Sequence, residues 1–353
     1  QEDFTEETVW GHRVADRAID FLERVGQEPF VLGVSFDEPH GPFVAPPEYW
    51  EKFSPEDIPW RPNKDAPLEG KPRLQQVHHG EVGQSEAWHR EQGVLRWMGC
   101  NSYIDREIGR VVDAVDRLHR DDTLVIYTSD HGDMMNSHGL RSKGPMMYEE
   151  IVNIPLIVRM PGGASGVESN ALVSHLDLLP TMLDVAGLER PECLHGESLR
   201  PALEDPRAAV RETAMVSFTR FAINHDGWGG FYPIRCATDG RYKLAINLFE
   251  TDEFYDLETD PYETANRIDD PDCAEDRDRL HDALLEEMDR TRDPFRTHLW
   301  GCRPWRCVRE PQYWGGTRRD RPEGFSFQPS SIEATGTVSG GKRPGENAGK
   351  NEQ

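Results

Sequence analysis

Apolar positions change their spacing along the chain. In residues 12–25, HRVADRAIDFLERV, Val14, Ala18, Ile19, Leu22 and Val25 recur every three to four positions, which predicts an amphipathic helix. The next run, FVLGVSF (30–36), is continuously apolar, the pattern of a strand buried on both faces of a parallel sheet. Residues 41–92 break the periodicity with Pro, Gly, Trp and charge and read as a long surface excursion, a kind of loop that often carries function. Helical spacing resumes over 94–119, through Leu95, Met98, Ile104, Ile108, Val111, Val115 and Leu118. Two more strand-like runs follow, LVIYTS (124–129) and IPLIVRM (154–160), then a helix over 174–187 with Gly187 as its stop.

This alternation predicts an α/β fold whose sheet is mostly parallel and flanked by helices. After about residue 206 the segments shorten. AMVSFTRFAI, PIRCATDGRYKLAINL and EFYDL, with a turn at Asp239-Gly240, predict a small antiparallel sheet, and residues 276–291 a closing helix. The expected organisation is a larger α/β portion over 1–206, a small α+β subdomain over 207–310, and a Gly-, Ser-, Pro- and charge-rich tail over 311–353 read as disordered.

Composition narrows the function classes. The formal net charge is -24, with seven lysines against 33 arginines among the 40 basic residues. Such a surface lacks the basic footprint that nucleic acid or an anionic membrane requires. An acidic, lysine-poor surface suits a salt-adapted protein; a GC-rich genome produces the same bias. No apolar run reaches the length of a membrane span. The six cysteines are widely spread and form neither a disulfide framework nor a zinc pattern. The first residues, QEDFTEET, show no signal peptide and do not begin with Met; the true N-terminus is expected to be missing, so location is not legible, with the cytoplasm slightly favoured.

Candidate chemistry gathers where strands end, the usual place for ligands in open α/β sheets. His40 follows the 30–36 run in SFDEPHGPF. Asp130 and His131 end the 124–129 run, and Lys143 lies thirteen positions beyond Asp130. A carboxylate beside an imidazole suits a divalent cation, a lysine suits an anionic group, and a histidine can pass a proton. Each also has an ordinary alternative: a turn cap, a loop histidine, an exposed lysine. His138, in the same segment, takes no role from spacing.

Taken together and in order, SFDEPHGPF, YTSDHGD, SKGPMMYEE, IPLIVRMPG, HLDLLPTMLDVAG, HGESLRPAL and EFYDLETDPYETANR resemble the sulfatase family of the alkaline phosphatase superfamily. The resemblance covers residues 1 to about 310. It implies a metal-dependent hydrolase of sulfate monoesters. Asp130 and His131 match the family's late metal ligands. The metal is calcium in most sulfatases, with manganese or magnesium as alternatives. Lys143 matches the lysine on the sulfate oxygens, and His40 the histidine that contacts sulfate and protonates the leaving oxygen. The implied substrate is a small-molecule or saccharide sulfate ester.

The family's early block, with paired aspartates and the C/S-x-P-x-R signature that yields a formylglycine nucleophile, is not found in the expected place. The reading is therefore an incomplete alkaline phosphatase-like fold, the C-terminal portion of a longer enzyme, inactive alone and completed by an N-terminal segment, with formylglycine upstream. Cys302-Arg-Pro-Trp-Arg306 matches the signature literally, but its place and its continuation, CVREPQ, point to packing. A phosphonate monoester or phosphodiester hydrolase, and a non-catalytic binding module, are the alternative functions. Oligomeric state is not legible.

Overall fold

The structure, a computed structural model, describes residues 5–83, 87–220 and 230–306. All of them lie in one compact unit, Gln1–Cys307, and the expected tail over 311–353 falls outside the described residues. The 16-residue helix α1 (Trp10–Val25) turns Gly11, Ala15, Ala18 and Leu22 inward, a spacing that lays one narrow face along the long helix α4 (Ala87–Leu118). Between them run a single helical turn α2 (Pro47–Trp50) and helix α3 (Arg73–Gly83). Leu22, Ala114 and Val115 form one apolar cluster, with Phe30 and Leu32 against it. Tyr49, Cys100, Tyr103 and Ile104 form another.

The expected parallel sheet is not what forms. Strands β1 (Val125–Thr128) and β2 (Leu156–Arg159) pair antiparallel, with Val125 opposite Arg159 and Thr128 opposite Leu156. The segment joining them holds a 3-10 turn (Ser137–Gly139) and one turn of helix, α5 (Glu149–Val152), but no crossover helix, so the chain folds back instead of crossing over. Residues 30–36 form no regular element and join neither sheet, and their exposure alternates, with Val31 open to solvent. The paired Tyr127 and Ile157 are 41% and 63% exposed, so the continuous apolar runs do not mark strands buried on both faces. The fold is α/β with antiparallel sheets flanked by helices.

After β2 come α6 (Leu178–Val185) and α7 (Arg200–Glu204). Gly187 takes φ +68° after α6, where Leu188 N–H returns to the Leu183 carbonyl at 2.8 Å. The second sheet is an antiparallel meander: β3 (Ala214–Arg220), β4 (Tyr232–Thr238), β5 (Tyr242–Asn247) and β6 (Glu253–Asp256), in that order. Asp239 Oδ1 accepts from Tyr242 N–H at 2.7 Å, and Gly240 supplies φ +90°, which closes the β4–β5 turn. Helix α8 (Ala274–Arg290) covers β4 and β5 through Leu280, Leu284 and Met288, and the final turn α9 (His298–Gly301) adds buried Trp300.

Charge is buried where the meander meets the 63–79 and 147–150 segments. Lys243 Nζ donates to Glu263 Oε1 at 2.9 Å, Glu149 Oε1 at 2.5 Å and the Met147 carbonyl at 3.0 Å. Lys71 Nζ donates to Tyr255 Oη at 2.9 Å and to the Glu263 carbonyl, over the rings of Tyr148 and Tyr255. Tyr255 Oη in turn donates to Glu253 Oε1 at 2.7 Å. Each buried ammonium thus meets carbonyl, hydroxyl or carboxylate oxygens, which such burial demands.

Candidate active site

Two pairs of side chains hang from the turns after residue 36 and after β1. In the first turn His40 N–H donates to the Asp37 carbonyl at 2.9 Å and Phe43 N–H to the His40 carbonyl at 3.1 Å. The turn is tethered to α1 by Glu38, whose Oε1 accepts from Gly11 N–H at 3.0 Å. His40 Nδ1 lies 2.7 Å from the Gly41 carbonyl, which fixes the proton on Nδ1 and leaves the Nε2 lone pair free. Lys143 Nζ donates to that Nε2 at 2.9 Å, from 103 residues away in sequence. The fold therefore brings the two expected sulfate-contacting residues together at an exposed position.

Asp130 and His131 form the second pair. His131 N–H donates to Asp130 Oδ1 at 2.9 Å, and His131 Nδ1 is tied to the Gly132 carbonyl at 2.8 Å. That bond turns Nε2 outward, 3.4 Å from Asp130 Oδ2. A carboxylate oxygen and an imidazole lone pair thus face the same point, with Asp130 84% exposed. As two donors of a divalent-cation shell the pair fits. Among the described residues no cluster of three or more His, Cys, Asp or Glu side chains forms a complete shell.

Three residues that the sequence reading passed over support these pairs. Asp133 Oδ1 accepts from Met135 N–H at 2.9 Å. Burial pushes the Asp133 carboxyl up, while the Met135 and Ser142 N–H groups and the charges of Lys143 and His131 pull it down, so one carboxylate senses both pairs. Its signal was a second acid in SDHGD. His175 Nε2 donates to the Ser129 carbonyl at 2.8 Å and holds the end of β1; no spacing announces it. Gly132 lets the chain pass Glu150, and its N–H donates to the Ile151 carbonyl at 2.9 Å.

A methyl group at Gly132 would stand 1.9 Å from the Glu150 carbonyl oxygen, a backbone atom that cannot swing aside. Gly132→Ala is expected to lower the unfolding free energy by about 3 kcal/mol. Urea titration reads this as a lower midpoint; a midpoint equal to wild type would refute the close approach.

The literal Cys302-Arg-Pro-Trp-Arg306 motif behaves as packing. Cys302 is an exposed free thiol after α9. Arg303 Nε and Nη2 reach the buried Asp252 at 2.7 and 2.8 Å, Trp305 Nε1 donates to the same carboxylate at 2.7 Å, and Arg306 pairs with Asp282 at 2.5 Å.

Comparison with known proteins now bears on the whole arrangement. Residues 2–188 match the Sulfatase family, and residues 137–290 match the N-sulphoglucosamine sulphohydrolase C-terminal family. The chain is similar to the uncharacterized sulfatase YidJ of Escherichia coli (strain K12), 43% identical over 90% of the chain and 63% of the relative. It is also similar to an arylsulfatase of Clostridium perfringens, 27% identical over 78% of the chain and 57% of the relative. The chain thus spans about three-fifths of the length of these curated relatives.

Among solved structures, BT4656 in complex with its substrate D-glucosamine-2-N,6-O-disulfate superposes with TM-score 0.70 at 23% identity, covering 81% of this chain and 70% of that one. A phosphonate monoester hydrolase of Agrobacterium radiobacter gives TM-score 0.70 at 25% identity, covering 82% of this chain and 62% of that one.

The expectation that only the family's C-terminal portion is present is corrected, because the Sulfatase domain itself is matched from residue 2 onward. That expectation rested on the missing paired aspartates and C/S-x-P-x-R signature, whereas the match extends over residues 2–188. Since it takes in more than half of the 353 residues and runs on into the C-terminal domain of the same class of proteins, the chain belongs to the sulfatase family.

Proposed function

We propose that this protein takes part in metal-dependent hydrolysis of sulfate monoesters, on small-molecule or saccharide substrates. The observation that carries the reading is the Lys143–His40 contact at 2.9 Å. Net, an ester ROSO₃⁻ and water give ROH, sulfate and a proton. A sulfate group entering between the two side chains takes over the Lys143 ammonium, which then donates to sulfate oxygens as charge builds on them. His40 Nε2, released from Lys143 and facing an anion, holds a proton and gives it to the ester oxygen as the S–O bond breaks. The Nδ1–H bond to Gly41 keeps the ring aimed throughout.

Asp130 and His131 are proposed to hold two coordination positions of a divalent cation, calcium by resemblance to the family, which would supply Lewis-acid stabilisation of the sulfate oxygens; a formylglycine hydrate supplies the attacking oxygen in that family. The relatives support a sulfated substrate through their names alone. The strongly negative surface supports a small anion bound at a local positive site over a nucleic-acid partner. The likeness to a phosphonate monoester hydrolase supports the rival substrate, since both esters present a tetrahedral anion.

Turnover of 4-nitrophenyl sulfate and of a 4-nitrophenyl phosphonate, each with calcium and with manganese, separates the two. The proposal expects kcat/KM for the sulfate to exceed that for the phosphonate by about tenfold or more in calcium. Preference for the phosphonate in manganese would replace it with the second reading, and hydrolysis of neither would favour a binding role.

A further inference from the structure

His138 is fully buried, and the pairs just described do not account for it. It stands in the loop that joins the Asp130–His131 pair to Lys143. This loop is bent against local preference: Met135, Asn136, His138 and Ser142 all have positive φ, at 40°, 72°, 53° and 60°. Four such residues within eight positions store conformational energy that the surroundings must offset.

The surroundings converge on His138. Its ring stacks on Tyr148 with centroids 4.2 Å apart and planes 21° from parallel. Its backbone N–H donates to the Asn63 carbonyl at 2.9 Å, and its carbonyl accepts from His79 Nδ1 at 2.8 Å. The Asn63 amide nitrogen stands 3.1 Å from Nε2 and donates to Glu150 Oε1 at 2.9 Å and to the Tyr262 carbonyl at 3.2 Å. Nδ1 is buried with no hydrogen-bond partner among the described residues. Elements from both sides of the chain, 63–79 and 148–150, thus close on this one residue, with 262 joined to it through Asn63.

Burial, and the Lys71 ammonium facing the ring, lower its pKa to about 4 against the pull of Glu150 and Asp260, so the ring is neutral under ordinary conditions. A neutral ring costs little to bury and can stack and donate one N–H, but it is enclosed and cannot reach a substrate.

We propose that His138 is a positioning residue: it pins the 133–143 loop in its strained form and thereby sets where Lys143 stands relative to Asp130, His131 and His40. This rests on the reading of Lys143 as a sulfate-contacting residue for its kinetic consequence, but not for its structural one. The loop's own bonds are the structural readout, among them Met134 N–H to the Ser142 carbonyl and Asn136 N–H to the Leu140 carbonyl, at 2.9 and 2.8 Å.

The test uses His138→Phe, which keeps a ring on Tyr148, and His138→Asn, which tolerates the left-handed backbone should the first variant fold poorly. Hydrogen exchange is expected to lose protection at the 134–142 amides by about tenfold or more, with β4, β5 and α4 unchanged. For 4-nitrophenyl sulfate, kcat/KM is expected to fall about 10- to 50-fold in otherwise wild-type protein and less than about threefold in a Lys143→Ala background, because the effect passes through Lys143.

Unchanged protection in a folded variant would overturn the proposal. So would a kinetic loss of equal size in both backgrounds, the mark of a general structural role. If no ester is turned over at all, the proposed function fails, while the exchange result still decides whether His138 pins the loop.

Discussion

Lys143→Ala is expected to lower kcat/KM for aryl sulfates by about 10²–10³-fold, by about the same factor for every leaving group. The ammonium donates to His40 Nε2 at 2.9 Å, and in the proposed reaction it stands where the sulfate oxygens gather charge. Removing one such donor from a charge-stabilising site costs about this much. His40→Asn is expected to behave differently. A proton donor matters little for a good leaving group such as 4-nitrophenolate and much for a poor one. Across aryl sulfates of rising phenol pKa, the loss should therefore grow with leaving-group pKa in His40→Asn and stay flat in Lys143→Ala. Parallel losses in both variants would remove the proton-donor role from His40.

The second large effect lies in the buried charges. Glu263→Ala is expected to destabilise the fold by about 3–5 kcal/mol, since it takes an acceptor from Lys243 and from the Glu149 N–H, 2.7 Å from Glu263 Oε2. Two carboxylates, Glu263 and Glu149, face one ammonium, so Lys243 is held in its charged form and its pKa rises, while burial pushes the Glu263 carboxyl up to about 7.

The direction of the pH effect follows from that raised value. In the native state Glu263 binds its proton more tightly than in the unfolded chain, where the ordinary value is 4.5. Its titration therefore contributes stability that is fully present below 4.5 and lost as pH rises through about 7. The stability difference between wild type and Glu263→Gln should fall by about 3 kcal/mol across that window. Urea titrations at several pH values read it; a difference that grows with pH would show that Glu263 is held ionised instead.

The helices were legible because period 3.6 is a local property. The predicted 12–25 and 94–119 segments lie in α1 and α4, and Gly187 ends α6 as its position suggested. Strand direction was not legible, because an apolar run such as LVIYTS is the same whichever way its partner runs; the joining segment decides, and it holds no crossover helix. His40, Lys143, Asp130 and His131 were found through the collinear family motifs, whereas the meeting of His40 and Lys143 across 103 residues is a product of the fold.

No role for Gly132 or His138 was legible, for a related reason. One is needed because a distant carbonyl passes close by, and the other because segments from both sides of the chain close on it. Nothing in the sequence singled out Lys71, Lys243 and Glu263, and only the oxygens and ammonium groups they meet in the fold make their burial tolerable.

The central claim is that the cation-binding pair and the anion-binding pair form one site. It is tested most directly by titrating calcium into the protein calorimetrically, with and without sulfate below the solubility limit of calcium sulfate, in wild type and in Lys143→Ala. One site requires reciprocal coupling: sulfate should tighten calcium binding by about 5- to 100-fold in wild type, with the effect largely lost in Lys143→Ala. Equal calcium affinity with and without sulfate in the wild-type protein would contradict the account.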